Sequence, residues 1–164
     1  MAVRREFKVG EHVVYPLQGV GIIKDITERE IRGKKTTVYI IYIDISDMTV
    51  IIPVGKAEEA GIRGLCTPSK AKKVLESISS NYEPLNVDWK ARYQMNVELV
   101  REGSLESVSK VVQGLYHRSK IKELPVQERK LYDSAFRLLV DECAFSLHKK
   151  PEDIEKEIFI SLEN

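Results

Sequence analysis

The sequence predicts an α+β protein, with an N-terminal SH3-like or Tudor-like small β-barrel followed by an all-helical domain of four to five helices. Two observations carry that expectation. Residues 7–53 hold short runs of β-branched and aromatic residues broken by glycines, whereas from about residue 56 the apolar positions recur at helical spacing. The change of period puts a boundary between 55 and 68, giving expected domains at 1–62 and 63–164. No internal repeat or low-complexity tract interrupts either part.

The first strand is expected in His12–Pro16, after Phe7-Lys-Val-Gly10, followed by Leu17–Gly21 and Ile22–Ile26, with Gly10, Gly19 and Gly21 suiting turns, bends or bulges. Glu28–Ile31 and Thr36–Ile43 flank a short loop, Arg32-Gly-Lys-Lys35, whose glycine can take a positive φ. Within the third run one face would carry Val38, Ile40 and Tyr42 and the other Tyr39, Ile41 and Ile43, and alternation alone does not say which is core. Residues 44–47 turn the chain into a last strand, Met48–Pro53.

Further along, Lys56–Ala60 reads as a turn of helix ended by Gly61. Thr67 caps a helix over 69–79 with Pro68 at its first position. Residues 81–87 read as an ordered linker, after which Asp88 caps Trp89–Glu102 and Gly103 closes it. Ser104 caps Leu105 to about Ile121, striped by Leu105, Val108, Val111, Val112 and Leu115. Pro125 starts a long helix to about His148, with Leu131, Ala135, Leu138, Leu139, Cys143 and Leu147 at helical spacing. Pro151 begins a short acidic helix containing Ile154, Ile158 and Phe159.

Charge excludes strong whole-chain attraction to nucleic acid, because 26 Lys and Arg against 25 Asp and Glu leave a net +1 over 164 residues. Its distribution is uneven. Residues 89–137 hold ten basic and six acidic side chains, a balance of +4, and residues 138–164 hold three and seven, a balance of −4. Cys66 and Cys143 form neither a disulfide framework nor a metal motif, which fits a reducing compartment. Arg4 and Arg5 precede no apolar run, and no stretch reaches the length of a membrane span, so a cytoplasmic location is expected. His12, His117 and His148 share no ligand spacing with the cysteines, and no nucleophile motif, phosphate loop or carboxylate pair is present. Neither enzymatic activity nor a cofactor is expected.

Trp89, the single tryptophan, lies in Asp88-Trp-Lys-Ala-Arg-Tyr93 at the start of an amphipathic helix, after an extended segment containing a proline. From the residues alone two readings stand. The ring is a half-buried anchor between linker and bundle, or a wedge offered to unstacked DNA.

Several of these segments resemble the CarD/CdnL family of bacterial transcription regulators: Phe7–Pro16 with Gly19 and Gly21, Thr49–Pro53, Ala60–Arg63 and, above all, Asp88–Tyr93 with Asn96 and Glu98. Val111-Val112 followed by Leu115-Tyr-His-Arg118 resembles the second main helix of the family, and the likeness runs in order from about residue 7 to 148. The first module alone is less specific, since transcription-repair coupling factors carry a related one beside a helicase.

The resemblance implies a protein that binds the RNA polymerase β subunit through a strand edge of the Tudor-like domain. Its helical domain would contact promoter DNA at the upstream edge of the melted region, without sequence specificity, and hold the bubble open. It implies Trp89 as the DNA wedge and Arg29, with the edge strand at Thr49, Val50 and Ile51, as polymerase-contacting. On the Trp89 helix Arg92 is the phosphate candidate and Tyr93 packs, Lys90 and Lys120 are candidates to compensate for Gln94, and Ile31, Tyr39 and Ile41 stay open between interface and core. Two positions depart from the pattern. Gln94 stands where members can carry a basic residue, and Ile51 where they can carry an arginine. A monomer is expected when free. Other classes remain open: a protein-binding adaptor on polymerase with a structural helical domain, or an RNA-binding or ribosome-associated factor, though no exposed aromatic pair marks an RNA platform.

Overall fold

A computed structural model describes residues 6–79 and 81–164; the chain divides into two compact units, up to Leu65 and from Cys66 to Asn164. The first unit is a five-stranded antiparallel sheet: β1 (His12–Tyr15), β2 (Gly19–Ile31), β3 (Lys34–Ile43), β4 (Met48–Pro53) and β5 (Arg63–Gly64), ordered β4-β3-β2-β1-β5. Its division from the helices falls three residues beyond the expected 62/63. The reason is β5, whose Arg63 and Gly64 pair with Val14 and Val13 and so belong to the sheet.

Local chemistry sets each reversal. Between β1 and β2 the Gln18 amide donates to the Tyr15 carbonyl at 3.0 Å, with Pro16 next and Leu17 at φ +69°. Proline then a left-handed residue is the pattern of a type II turn. Between β2 and β3 the expected four-residue loop contracts to Arg32-Gly33, both at positive φ (51° and 78°), so Lys34 and Lys35 join the strand. Two left-handed residues make the turn whose twist matches a hairpin. β2 runs as one strand where two were expected, its pairing with β3 unbroken from Asp25 to Ile31, with a bulge between Ile23 and Asp25.

Of the two candidate faces of β3, Tyr39, Ile41 and Ile43 form the core with Phe7, Val13, Ile23, Ile52, Ala57 and Ile62. Tyr39 is buried with its hydroxyl satisfied, accepting the Phe7 amide at 3.1 Å. On the opposite face Val38 is buried, and Ile40 and Tyr42 are half-buried. The turn expected at 56–60 is a short 3₁₀ segment, Val54–Lys56, followed by turns to Gly61 at φ +82°.

The second unit contains α1 (Pro68–Ser77), α2 (Trp89–Glu102), α3 (Leu105–Ile121), α4 (Val126–Leu147) and α5 (Pro151–Glu163). Three of the predicted caps form: the side chains of Thr67, Asp88 and Ser104 accept the amides of Lys70, Ala91 and Ser107 at 3.2, 2.8 and 3.2 Å. Gly103 is left-handed at φ +90° and ends α2. The apolar stripes of α3 and α4 are buried from Leu105 to Leu115 and from Leu131 to Cys143; α5 adds Ile154, Ile158 and Leu162. Phe159 remains partly exposed. Among the described residues no helix is long and apolar enough to cross a membrane.

Short connections force α2, α3 and α4 to alternate in direction. The first turn of α2, the last turn of α3 and the first turn of α4 therefore share one end of the helical unit.

Candidate nucleic-acid interface and sheet-edge surface

Trp89 is the first residue of α2, and Asp88, its cap, fixes where the helix begins. The indole is half-buried. It lies on the stripe of α2 that continues through buried Arg92, Asn96 and Val100, the face packed on α3 and α4. Lys90 is exposed, its Nζ 6.0 Å from the centroid of the Trp89 ring. Lys120, in the last turn of α3, is also exposed and lies over Tyr116, its Nζ 5.0 Å from that ring centroid. Lys122, Arg129 and Lys130 are exposed at the same end of the unit, just before α4 and in its first turns.

Arg92 corrects the sequence expectation. It is only 6% exposed, and its guanidinium is engaged by Glu128, Nε to Oε2 at 3.2 Å and Nη2 to Oε1 at 2.7 Å. Both hydrogen bonds close the side-on fork that arginine makes with a carboxylate. An arginine three residues beyond Trp89 falls on the buried stripe, so its charge is spent inside the unit and not on phosphate. Glu128 is fully buried and escaped the sequence reading. An acidic residue in the first turn of a helix ordinarily signals favourable interaction with the helix dipole, and nothing local announces a partner 36 positions away.

A second feature missed in the sequence holds the segment before Trp89. His117 Nε2 is 3.1 Å from the Ser79 carbonyl, Gln113 donates to the Asn81 carbonyl at 3.1 Å, and Tyr82 stacks on His117 with centroids 5.4 Å apart. The Tyr82 ring lies over Gly114, where a β-carbon would come no closer to it than van der Waals contact, 3.4 Å. Residues 83–88 are exposed. Gln94 is exposed and directs its amide to Glu98 at 3.3 Å.

In the sheet, register sorts the five polymerase-contact candidates. Arg29 and Ile31 pair with Thr36 and Lys34; Thr49 and Ile51 pair with Tyr42 and Ile40. Cross-strand partners and alternate residues share a face, so Arg29, Ile31, Thr49 and Ile51 all lie on the face opposite the core. All four are exposed, Ile51 at 46%. Val50 points the other way and packs against the core, leaving its backbone as its contribution to the edge. β4 pairs only with β3, so its outer side has no strand partner among the described residues. Beyond residue 27 the β2–β3 hairpin projects past both neighbouring strands as a two-stranded ribbon.

Comparison with known proteins covers both units. Residues 7–66 match the "CarD-like/TRCF RID domain" family and residues 73–159 the "CarD, C-terminal domain" family. The Bacillus subtilis (strain 168) protein described as "Putative transcription factor YdeB" is 32% identical over 136 residues, spanning 83% of this chain and 89% of that protein. A Tudor-like sheet, a helical unit whose second helix opens on Trp89 behind its Asp88 cap, and matches to both domains in order place this chain in the CarD-like family of transcription factors.

Proposed function

We propose that this transcription regulator docks on the RNA polymerase β subunit through the β4 edge and stabilises the promoter open complex by seating Trp89 at the upstream edge of the melted DNA. The observation that carries the reading is the placement of Trp89. A half-buried indole begins α2 at the end of the helical unit where Lys90, Lys120, Lys122, Arg129 and Lys130 are exposed. A flat ring held at its base and flanked by cations suits a junction where bases are already unstacked, because polymerase has supplied the deformation energy.

Docking by the sheet edge fits the same scheme. Main-chain pairing along β4 tolerates side-chain change, and the exposed side chains of Arg29, Ile31, Thr49 and Ile51 add contact area on one face. Ile51 contributes apolar contact where an arginine would contribute charge. Once tethered, a weak DNA contact suffices through its effective concentration. An aromatic contact of roughly 1–3 kcal/mol shifts an open–closed equilibrium about 5- to 150-fold.

The test is the lifetime of open complexes on a ribosomal-RNA-type promoter with cognate polymerase. Wild type lengthens it, and Trp89→Ala, folded and still bound to polymerase, loses the effect. A lifetime unchanged by wild type would leave a polymerase-bound adaptor as the account.

A further inference from the structure

We infer that Arg92 and Glu128 are positioning residues for Trp89: their buried ion pair clips the first turn of α2 to α4 and so presets the direction of the indole. The inference rests on the wedge reading of Trp89. Two constraints act on the start of α2, and they differ in kind. Upstream, the strap of Ser79, Asn81 and Tyr82 on α3 ends at Tyr82, and six exposed residues separate it from the indole. The Asp88 cap is local to the helix and fixes its first turn, not its orientation.

Downstream, Arg92 stands three residues from Trp89, on the same stripe of α2. Its two hydrogen bonds to one carboxylate define both a distance and a plane, which a single bond or an apolar contact does not. Glu128 itself sits in the first turn of α4, two residues after that helix begins. The pair therefore joins the first turns of two helices at the end of the unit that carries the indole.

Burial makes a purely stabilising role a poor account of the pair. Both partners are desolvated, Glu128 completely. Desolvation offsets most of the attraction in such a pair, and replacing it by apolar residues of similar volume is often neutral or stabilising. What the fork supplies that apolar packing does not is a unique register. For a ring that must meet an unstacked junction in one orientation, preorganisation lowers the ordering cost of binding.

Trp89 reports on this directly, because it is the only tryptophan in the chain. The double variant Arg92→Met/Glu128→Leu, as full-length chain, is compared with wild type by time-resolved fluorescence anisotropy of the free protein and by open-complex lifetime with polymerase. The expected result is a folded protein with unchanged polymerase affinity, a larger amplitude of fast indole motion, and a gain in open-complex lifetime about tenfold smaller than that given by wild type. Wild-type anisotropy and lifetime in a folded double variant would overturn the inference. If the double variant does not fold, Arg92→Lys decides: it keeps the charge but loses the fork, so intermediate indole mobility is expected and wild-type mobility overturns the idea. Trp89→Ala runs alongside. Loss of effect there, with none in the pair variants, sinks the positioning role and leaves the wedge standing; no effect in Trp89→Ala sinks the wedge itself.

Discussion

At Cys143 the physics of a single side chain already gives a prediction. The thiol is completely buried on the apolar stripe of α4. Burial first, then the neighbouring Cys66, Glu142 and Glu157, pushes it up from the ordinary value of 9.0 to about 12. A thiol that cannot ionise does not react, so a disulfide-exchange reagent at pH 8 titrates no more than one thiol per native chain and two after denaturation. The folded state holds the proton that the unfolded state releases above pH 9, so this contribution is full below that value and is lost as pH rises to about 12. Tyr132, raised from 10.0 to about 12 chiefly by burial, adds the same sign over the upper part of the window. The urea midpoint falls as pH rises past 9, each group supplying a slope of up to about 1.4 kcal/mol per pH unit; a flat profile to pH 11 would contradict both placements. Residue chemistry was only partly legible beforehand. Cys143 as core follows from helical spacing, whereas Arg92 as a buried partner does not. Spacing puts it on the stripe, but only the approach of α4 brings a carboxylate to receive it.

Elements were legible where their signals are local. Thr67, Asp88 and Ser104 each satisfy an amide three residues on, and the positions of the helix starts follow from those side chains alone. The sheet was less legible because its devices are not local. The bulge beside Lys24 shifts the β2–β3 register by one residue, which no local sequence signal announces, and the contracted β2–β3 turn needs Arg32, not only Gly33, at positive φ. Which face of β3 is core was undecidable from an almost wholly apolar run. Gly21 illustrates the same dependence on a neighbouring strand. A β-carbon there would stand 2.8 Å from Ile41 Cγ2 and 3.0 Å from the Tyr42 carbonyl oxygen, so β3 would have to shift. Gly21→Ala should therefore cost the sheet about 1–3 kcal/mol. Trp89 lies in the helical unit, so the variant should lower the thermal midpoint of the sheet and weaken polymerase binding with little change in native-state Trp89 emission. Retention of both sheet stability and polymerase binding would show that β3 yields without cost.

Across the whole chain a net charge of +1 conceals an uneven distribution of charge along the sequence. Sequence gives residues 89–137 a balance of +4 and residues 138–164 one of −4, and the internal pairing of Arg92 with Glu128 takes one charge of each sign out of the first segment while leaving its balance at +4. Antiparallel helices then bring Lys90, Lys120, Lys122, Arg129 and Lys130 to the end of the unit where Trp89 begins α2. Of these, Arg129 is shared with Asp133 at 3.5 Å, an exposed pair that competes weakly with phosphate. If the remaining cations meet the DNA backbone, each contributes to counterion release and hence to the salt dependence of binding. Lys90→Glu and Lys120→Glu should each weaken binding to junction DNA across sequences alike and lower the slope of log affinity against log salt by about 1. Arg92→Lys separates the two kinds of contribution. Its charge never reaches solvent, so it should lower affinity through Trp89 while leaving the salt slope at its wild-type value. A slope reduced by Arg92→Lys as much as by Lys90→Glu would mean that the Glu128 pair opens on DNA and that its arginine reaches the phosphates after all.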